Sequence, residues 1–168
     1  MYIYGKSRIP DGRTAEGLLD FSTQISEIDA SIRGGDGRRA RQALKRLAGR
    51  RLARGERAVL ARLSWRAGIP VLGLRLLNPI VRAEPGLHYR PKPVELVEYA
   101  RCLVSVGAER EALQLLEPLD GHLNPDVVFC RALAYLYLRD YVPAIALLGR
   151  YVRDSRVPTP VRLEAKVR

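Results

Sequence analysis

Residues that most often carry chemistry are scarce here: 168 residues hold two histidines, two cysteines and one tryptophan. Two cysteines are too few to staple a disulfide-built secreted scaffold, and they fit a reducing compartment. No apolar run approaches the roughly 18–20 residues that a membrane span needs. The start, Met1-Tyr2-Ile3-Tyr4-Gly5-Lys6, lacks the apolar core of a secretory signal. A soluble cytoplasmic protein without a transmembrane segment is therefore expected. Lysine is scarce too, 4 against 25 arginines; a GC-rich coding sequence produces that bias as readily as a need for guanidinium groups.

The same scarcity argues against an enzyme. His88 and His122 stand alone in predicted loops near glycine and proline. No His, Cys or Asp cluster has metal-ligand spacing, so no metal or cofactor is expected. Cys102 and Cys130 fall 28 residues apart on core-facing stretches, as buried structural thiols do. Gly34-Gly35-Asp36-Gly37 lacks the later Gly-Lys-Ser/Thr of a phosphate loop and reads as a helix-joining turn. There is no Gly-x-Ser-x-Gly elbow. Carboxylates are scattered and mostly on polar faces, where solvation is their ordinary state.

What the chain does have is a core and a concentrated charge. At 47% hydrophobic it has enough apolar surface to fold. Its net charge is +11, and the stretch Arg38–Arg66 alone contributes ten arginines and Lys45 against Glu56. The remainder of the chain is close to neutral.

Internal repetition organises the sequence. Four segments share a turn, then a small residue, then a leucine pair or its like. Arg33-Gly34-Gly35-Asp36 leads to Ala40, Ala43, Leu44 and Leu47; Ala67-Gly68-Ile69-Pro70 leads to Gly73, Leu76, Leu77 and Ile80. Val106-Gly107-Ala108-Glu109 leads to Ala112, Leu115, Leu116 and Leu119, and Leu138-Arg139-Asp140-Tyr141 leads to Ala144, Leu147, Leu148 and Tyr151. The small residues Ala40, Gly73, Ala112 and Ala144 are spaced by 33, 39 and 32.

Each copy reads as two short helices. Apolar residues recur at helical spacing in Val94–Val106 and in Val127–Leu138. Gly68 and Gly107 are expected to end the first helix of their copies through a left-handed cap. Pro70 suits the first turn of a second helix, whereas Pro79 and Pro118 should end theirs early. Small residues midway along the second helices let them lie close against the first. No run alternates long enough for a strand, so the expected fold class is all-α.

This pattern resembles the tetratricopeptide repeat. The best match is Val128–Pro158 through Tyr135, Asp140, Tyr141, Ala144, Ile145, Leu148 and Pro158. Leu96–Pro125 follows, Arg57–Ile80 is degenerate, and Phe21–Leu47 is the weakest copy. The resemblance implies a right-handed α-solenoid of stacked antiparallel helix pairs, of about 3–4 repeats. It sets a tail at 1–14, repeats at about 15–52, 54–83, 93–124 and 125–158, and the start of a capping or further helix at 159–168, with the chain read as the front of a longer array.

The family also implies a concave groove lined by the first helices. Projected here, it comprises Arg33, Arg62, Trp65, Arg66, Val97, Arg101, Phe129, Leu133 and Tyr137, with Ile25, Asp29, Ala58, Val104 and Leu136 beside them. Arg62, Arg66 and Arg101 would take the carboxylates of an acidic or amphipathic peptide. The family's carboxylate clamp is not carried over, because Ile25, Asp29 and Ala58 occupy its Lys and Asn places.

A second candidate surface is the basic face Arg38, Arg39, Lys45, Arg46, Arg50 and Arg54. It lies outside the apolar stripe Ala40, Ala43, Leu44, Leu47 and Leu52. A solvated face, an acidic protein partner, and nucleic acid or anionic membrane all fit such a stretch. Trp65 fits either core packing or peptide stacking. The expected function is a non-enzymatic protein–protein interaction scaffold or adaptor. The alternatives are a bacterial secretion-type chaperone holding an extended client, and nucleic-acid or membrane binding through Arg38–Arg66.

Overall fold

The computed structural model describes residues 15–82, 90–119 and 124–157, with side chains from Asp20 onward. The tail 1–14, the segment 159–168, His88 and His122 lie outside the described residues. Within them the chain is all-α, with eight helices packed in sequence: α1 (Ala15–Arg33), α2 (Gly37–Ala48), α3 (Arg54–Arg66), α4 (Pro70–Val81), α5 (Pro93–Ser105), α6 (Glu109–Leu116), α7 (Pro125–Tyr137) and α8 (Tyr141–Arg153). No described helix is long and apolar enough to cross a membrane.

Local chemistry sets where these helices start. Proline opens α4, α5 and α7, where its missing N–H costs nothing. Asp36 accepts from the Arg39 amide at 3.0 Å to cap α2, and Asn124 accepts from the Asp126 amide at 3.0 Å to cap α7. In α3 and α5 a glutamate in the first turn reaches back instead. Glu56 accepts from the Ala53 amide at 2.8 Å, and Glu95 from the Lys92 amide at 2.6 Å.

The ends of the first helices are identical. Gly35, Gly68, Gly107 and Arg139 have positive φ, at 81°, 75°, 85° and 60°. In each case the next amide bonds back five residues at 2.9 Å: Asp36 to Ser31, Ile69 to Ser64, Ala108 to Leu103, Asp140 to Tyr135. This is the Schellman closure, which satisfies carbonyls that a helix end would otherwise leave bare. Three copies use glycine, which enters the left-handed region without strain. Arg139 does so at a cost of about 1–2 kcal/mol, held by the same bonds.

The small residue five places after each left-handed turn is buried: Ala40, Ala112 and Ala144 are fully so. At Gly73 even a methyl group is too large. A Cβ there would lie 2.5 Å from Cys102 Sγ and 3.2 Å from the Ala61 carbonyl. So α4 is clamped between α3 behind it and α5 ahead. One expectation needs correcting: Pro79 lies inside α4, which runs on to Val81. Pro79 is an exposed residue of the last turn, so its ring costs the helix one bond, to the Arg75 carbonyl, close to where the helix ends. Pro118 follows the end of α6 as expected.

Packing runs from each pair to the next. One apolar cluster joins α1 to α4 through Ile28, Leu44, Leu60 and Leu63. A second joins α3 to α7 through Ala61, Leu77, Val97, Leu116 and Val127, and a third joins α7 to α8 through Val128, Ala132, Leu148 and Tyr151. Helix α5 is the most enclosed, buried from Val97 to Val104 without a break. Six places past the left-handed turn, the second and third pairs carry an apolar residue directed into the core. These are Leu74 and Leu113, which pack into the second cluster. In the first pair the equivalent residue is Arg41, which is exposed and donates to the Ala67 carbonyl at 3.4 Å.

Candidate functional site

Four arginines of α3 and α5 find carboxylates within the chain: Arg54, Arg62, Arg66 and Arg101. Arg54, opening α3, makes two bonds to Glu95 of α5, at 2.6 and 2.7 Å, and a third to the Arg90 carbonyl at 2.8 Å. Burial would push the Glu95 carboxyl up. The Arg54 guanidinium and the Lys92 amide outweigh it and hold the group below its ordinary value. Arg66 of α3 pairs with Asp29 of α1, which Arg33 also meets at 3.1 Å.

The hub of this face is Glu98. Its side chain is 1% exposed and accepts from Arg62 at 2.7 Å, Arg101 at 3.0 Å and the Trp65 indole N–H at 3.3 Å. Arg101, whose guanidinium stands 5.8 Å from the centre of the Trp65 ring, reaches on to Asp126 of α7 at 2.7 Å. Burial works against the Arg101 charge, but Glu98 and Asp126 outweigh it and raise its pKa. One carboxylate thus ties α3 to α5, and one arginine ties α5 to α7.

The nine residues of the expected groove therefore fall into separate surroundings. Arg62, Trp65 and Arg101 come together around Glu98, and Arg33 and Arg66 around Asp29. Val97 and Leu133 are buried in the core and present no open face to a partner. Phe129 is half-buried against Tyr151, with ring centres 4.8 Å apart. Tyr137 is exposed and apart from the rest. The reading of carboxylates as solvated also needs correction: Glu56, Glu95 and Glu98 are buried. A signal was present in Val97-Glu98-Tyr99-Ala100, where an acid interrupts an apolar run on a core helix.

The expected basic face divides into two stripes along α2. Arg39 and Arg46 look toward α1, lining with Arg50, Glu27 and Gln24 a concavity of about 200 Å³. Acidic groups belong to that side: Arg50 meets Asp20 at 3.4 Å. Lys45 looks the other way, toward α4. It lines a concavity of about 740 Å³ with Ala48, Ile69, Val71, Leu72, Arg75 and Leu76. That lining contains no acid. Arg38, Lys45 and Arg75 form no ion pair among the described residues. Arg54, the last of the basic set, belongs instead with Glu95.

Both cysteines are free and buried, and burial pushes each thiol up to about 12, which keeps it protonated and unreactive at neutral pH. Among the described residues no group of three His, Cys, Asp or Glu side chains is placed to hold a metal. No family model, no curated protein and no solved structure matches this chain.

Proposed function

We propose that the chain is a non-enzymatic scaffold of the tetratricopeptide kind, its helix pairs stacked as a right-handed α-solenoid, and that it holds an acidic or amphipathic partner protein. The architecture part rests on the fourfold recurrence of one turn, with the same left-handed residue and the same 2.9 Å closure at 33-, 39- and 32-residue spacing. A unit of two helices buries its apolar stripe only by stacking on another.

The binding part rests on one observation. Arg54, Arg62, Arg66 and Arg101 of α3 and α5 are neutralised by Glu95, Glu98, Asp29 and Asp126, while Arg38, Lys45 and Arg75 form no ion pair among the described residues. Protein is favoured over nucleic acid because Trp65, the one tryptophan, is engaged by Glu98 and Arg101 and offers α2 no stacking platform.

The test is capture from extract at about 150 mM salt, where exposed charges act over only about 8 Å. Wild-type chain should retain a discrete protein, and the combined variant Arg38→Glu, Lys45→Glu, Arg75→Glu should release it. Retention of nucleic acid alone, with an affinity falling by a log–log slope of about −0.9 per phosphate neutralised, would replace the scaffold by a nucleic-acid binder.

A further inference from the structure

Between α2 and α4 one residue is different from its counterparts. Six places past the left-handed turns of the second and third pairs, Leu74 and Leu113 pack into the apolar core. Arg41 stands in that register in the first pair and turns aside to the Ala67 carbonyl. A guanidinium does not fill an apolar seam, because its donors need partners. Beside it, between the end of α2 and the start of α4, opens the 740 Å³ concavity, within the roughly 300–1,000 Å³ range of binding pockets.

We propose that this groove is a docking seat for an acidic amphipathic helix of a partner protein, an inference that rests on the scaffold reading above. Its floor is apolar: Ile69, Pro70, Val71, Leu72, Leu76 and Ala48. Val71 is 58% exposed although it belongs to that floor. Its rims are cationic, with Lys45 on α2 and Arg75 on α4, and no carboxylate lines it. A helix laid between two helices offers leucines at i, i+3, i+4 and i+7 to such a floor and flanking acids to such rims. The α1 side of α2 lacks this complementarity, since Glu27 lies in the same lining as Arg39, Arg46 and Arg50, and Arg50 already meets Asp20. Stacking aromatics are absent from the lining, which disfavours single-stranded nucleic acid.

The probe is a fluorescein-labelled peptide of about three helical turns, leucines on one face and glutamates on both flanks. Anisotropy is read at about 150 mM salt. Wild type should bind it and should ignore the same peptide with lysine for glutamate. Lys45→Glu with Arg75→Glu should weaken binding about tenfold or more, and so should Val71→Asp, whose side chain is exposed and leaves the fold intact by circular dichroism. Arg39→Glu with Arg46→Glu, on the far side of α2, should change it less than about threefold. Equal binding by wild type and the groove variants would overturn the seat while leaving the scaffold reading to the capture experiment. An equal loss in the Arg39/Arg46 variant would overturn it as mere net charge. Wild type that binds phosphatidylglycerol vesicles or a single-stranded oligonucleotide in preference to the peptide would also overturn it.

Discussion

Arg101 and Lys45 are both cations on helices of one small protein, and their surroundings are opposite. Arg101 is 9% exposed, with Glu98 and Asp126 on either side and the Trp65 ring beside it. Lys45 is exposed, faces an apolar groove, and shares it with another cation. The difference follows from packing. First helices lie side by side with second helices over them, so a charge pointing there loses water and must find a partner. Second helices of the first two pairs meet only loosely, so a charge there keeps its water and stays available. Arg101 and Lys45 are thus told apart by how tightly their surroundings pack: one is held inside the fold and the other is left in water.

Removing the Glu98 charge breaks the first half of that contrast most severely. In Glu98→Gln one amide end must face donors from Arg62, Arg101 or Trp65, and Arg101 keeps Asp126 alone. Breaking a buried charge network at one member costs about 3–5 kcal/mol. For a chain of this length the midpoint of thermal unfolding should fall by roughly 6–20 °C. A fall of only a degree or two would mean that the first-helix pairs are ornamental and that the two faces do not differ in kind.

Glu95 should follow, with a pH signature. Its folded pKa is held below the ordinary 4.5, so its stabilisation is present above that value and is lost as pH falls through the lowered one. Replacing it with Gln removes a two-bond charged contact worth about 1.5–3 kcal/mol at neutral pH. The gap between wild type and Glu95→Gln, read from urea midpoints, should close progressively below pH 4.5. A gap that stays constant into acid would show that the carboxylate charge is not what matters.

The two sides of α4 sharpen the comparison within one helix. Gly73 faces inward, and Gly73→Ala forces a Cβ to 2.5 Å from Cys102 Sγ. Overpacking costs about 1–3 kcal/mol, against the roughly 1 kcal/mol that alanine gains over glycine in a helix. A net loss of up to about 2 kcal/mol in urea unfolding is expected, and Cys102→Ala in the same chain should recover part of it. The Ala61 backbone at 3.2 Å limits the recovery. A gain in stability from Gly73→Ala would show that the α3–α4–α5 contact is looser than described.

Much of this architecture could be read from local rules. Glycine at the left-handed turn, proline at a first turn and a small residue midway are each decided within a few residues of themselves, so Gly68, Gly107, Pro70 and Ala112 announced their roles. Arg139 did not, because its left-handed turn has no glycine to mark it, and Pro79 misled because its position in an exposed last turn made it tolerable. The ion pairs were out of reach for a different reason. Arg62 and Glu98 are 36 residues apart and Arg54 and Glu95 are 41 apart, so their meeting depends on how one pair sets against the next. Arg41 was legible only in alignment with Leu74 and Leu113, where its charge is out of keeping with the two leucines.

Smallest of all should be the effect of the groove cations on stability, and that smallness is what the proposed docking role requires. Lys45 and Arg75 are exposed and make no ion pair among the described residues, so Lys45→Glu with Arg75→Glu removes no contact. Exposed substitutions of this kind stay within about 0.5 kcal/mol. Reversing two charges in the most basic region of a +11 chain also relieves self-repulsion, so any shift should be toward higher stability at low salt and should vanish as salt rises. The measurement is the urea midpoint at low and high salt. A loss above about 1 kcal/mol would place these cations with Arg101 among the residues that hold the fold, and the distinction between the two faces would dissolve.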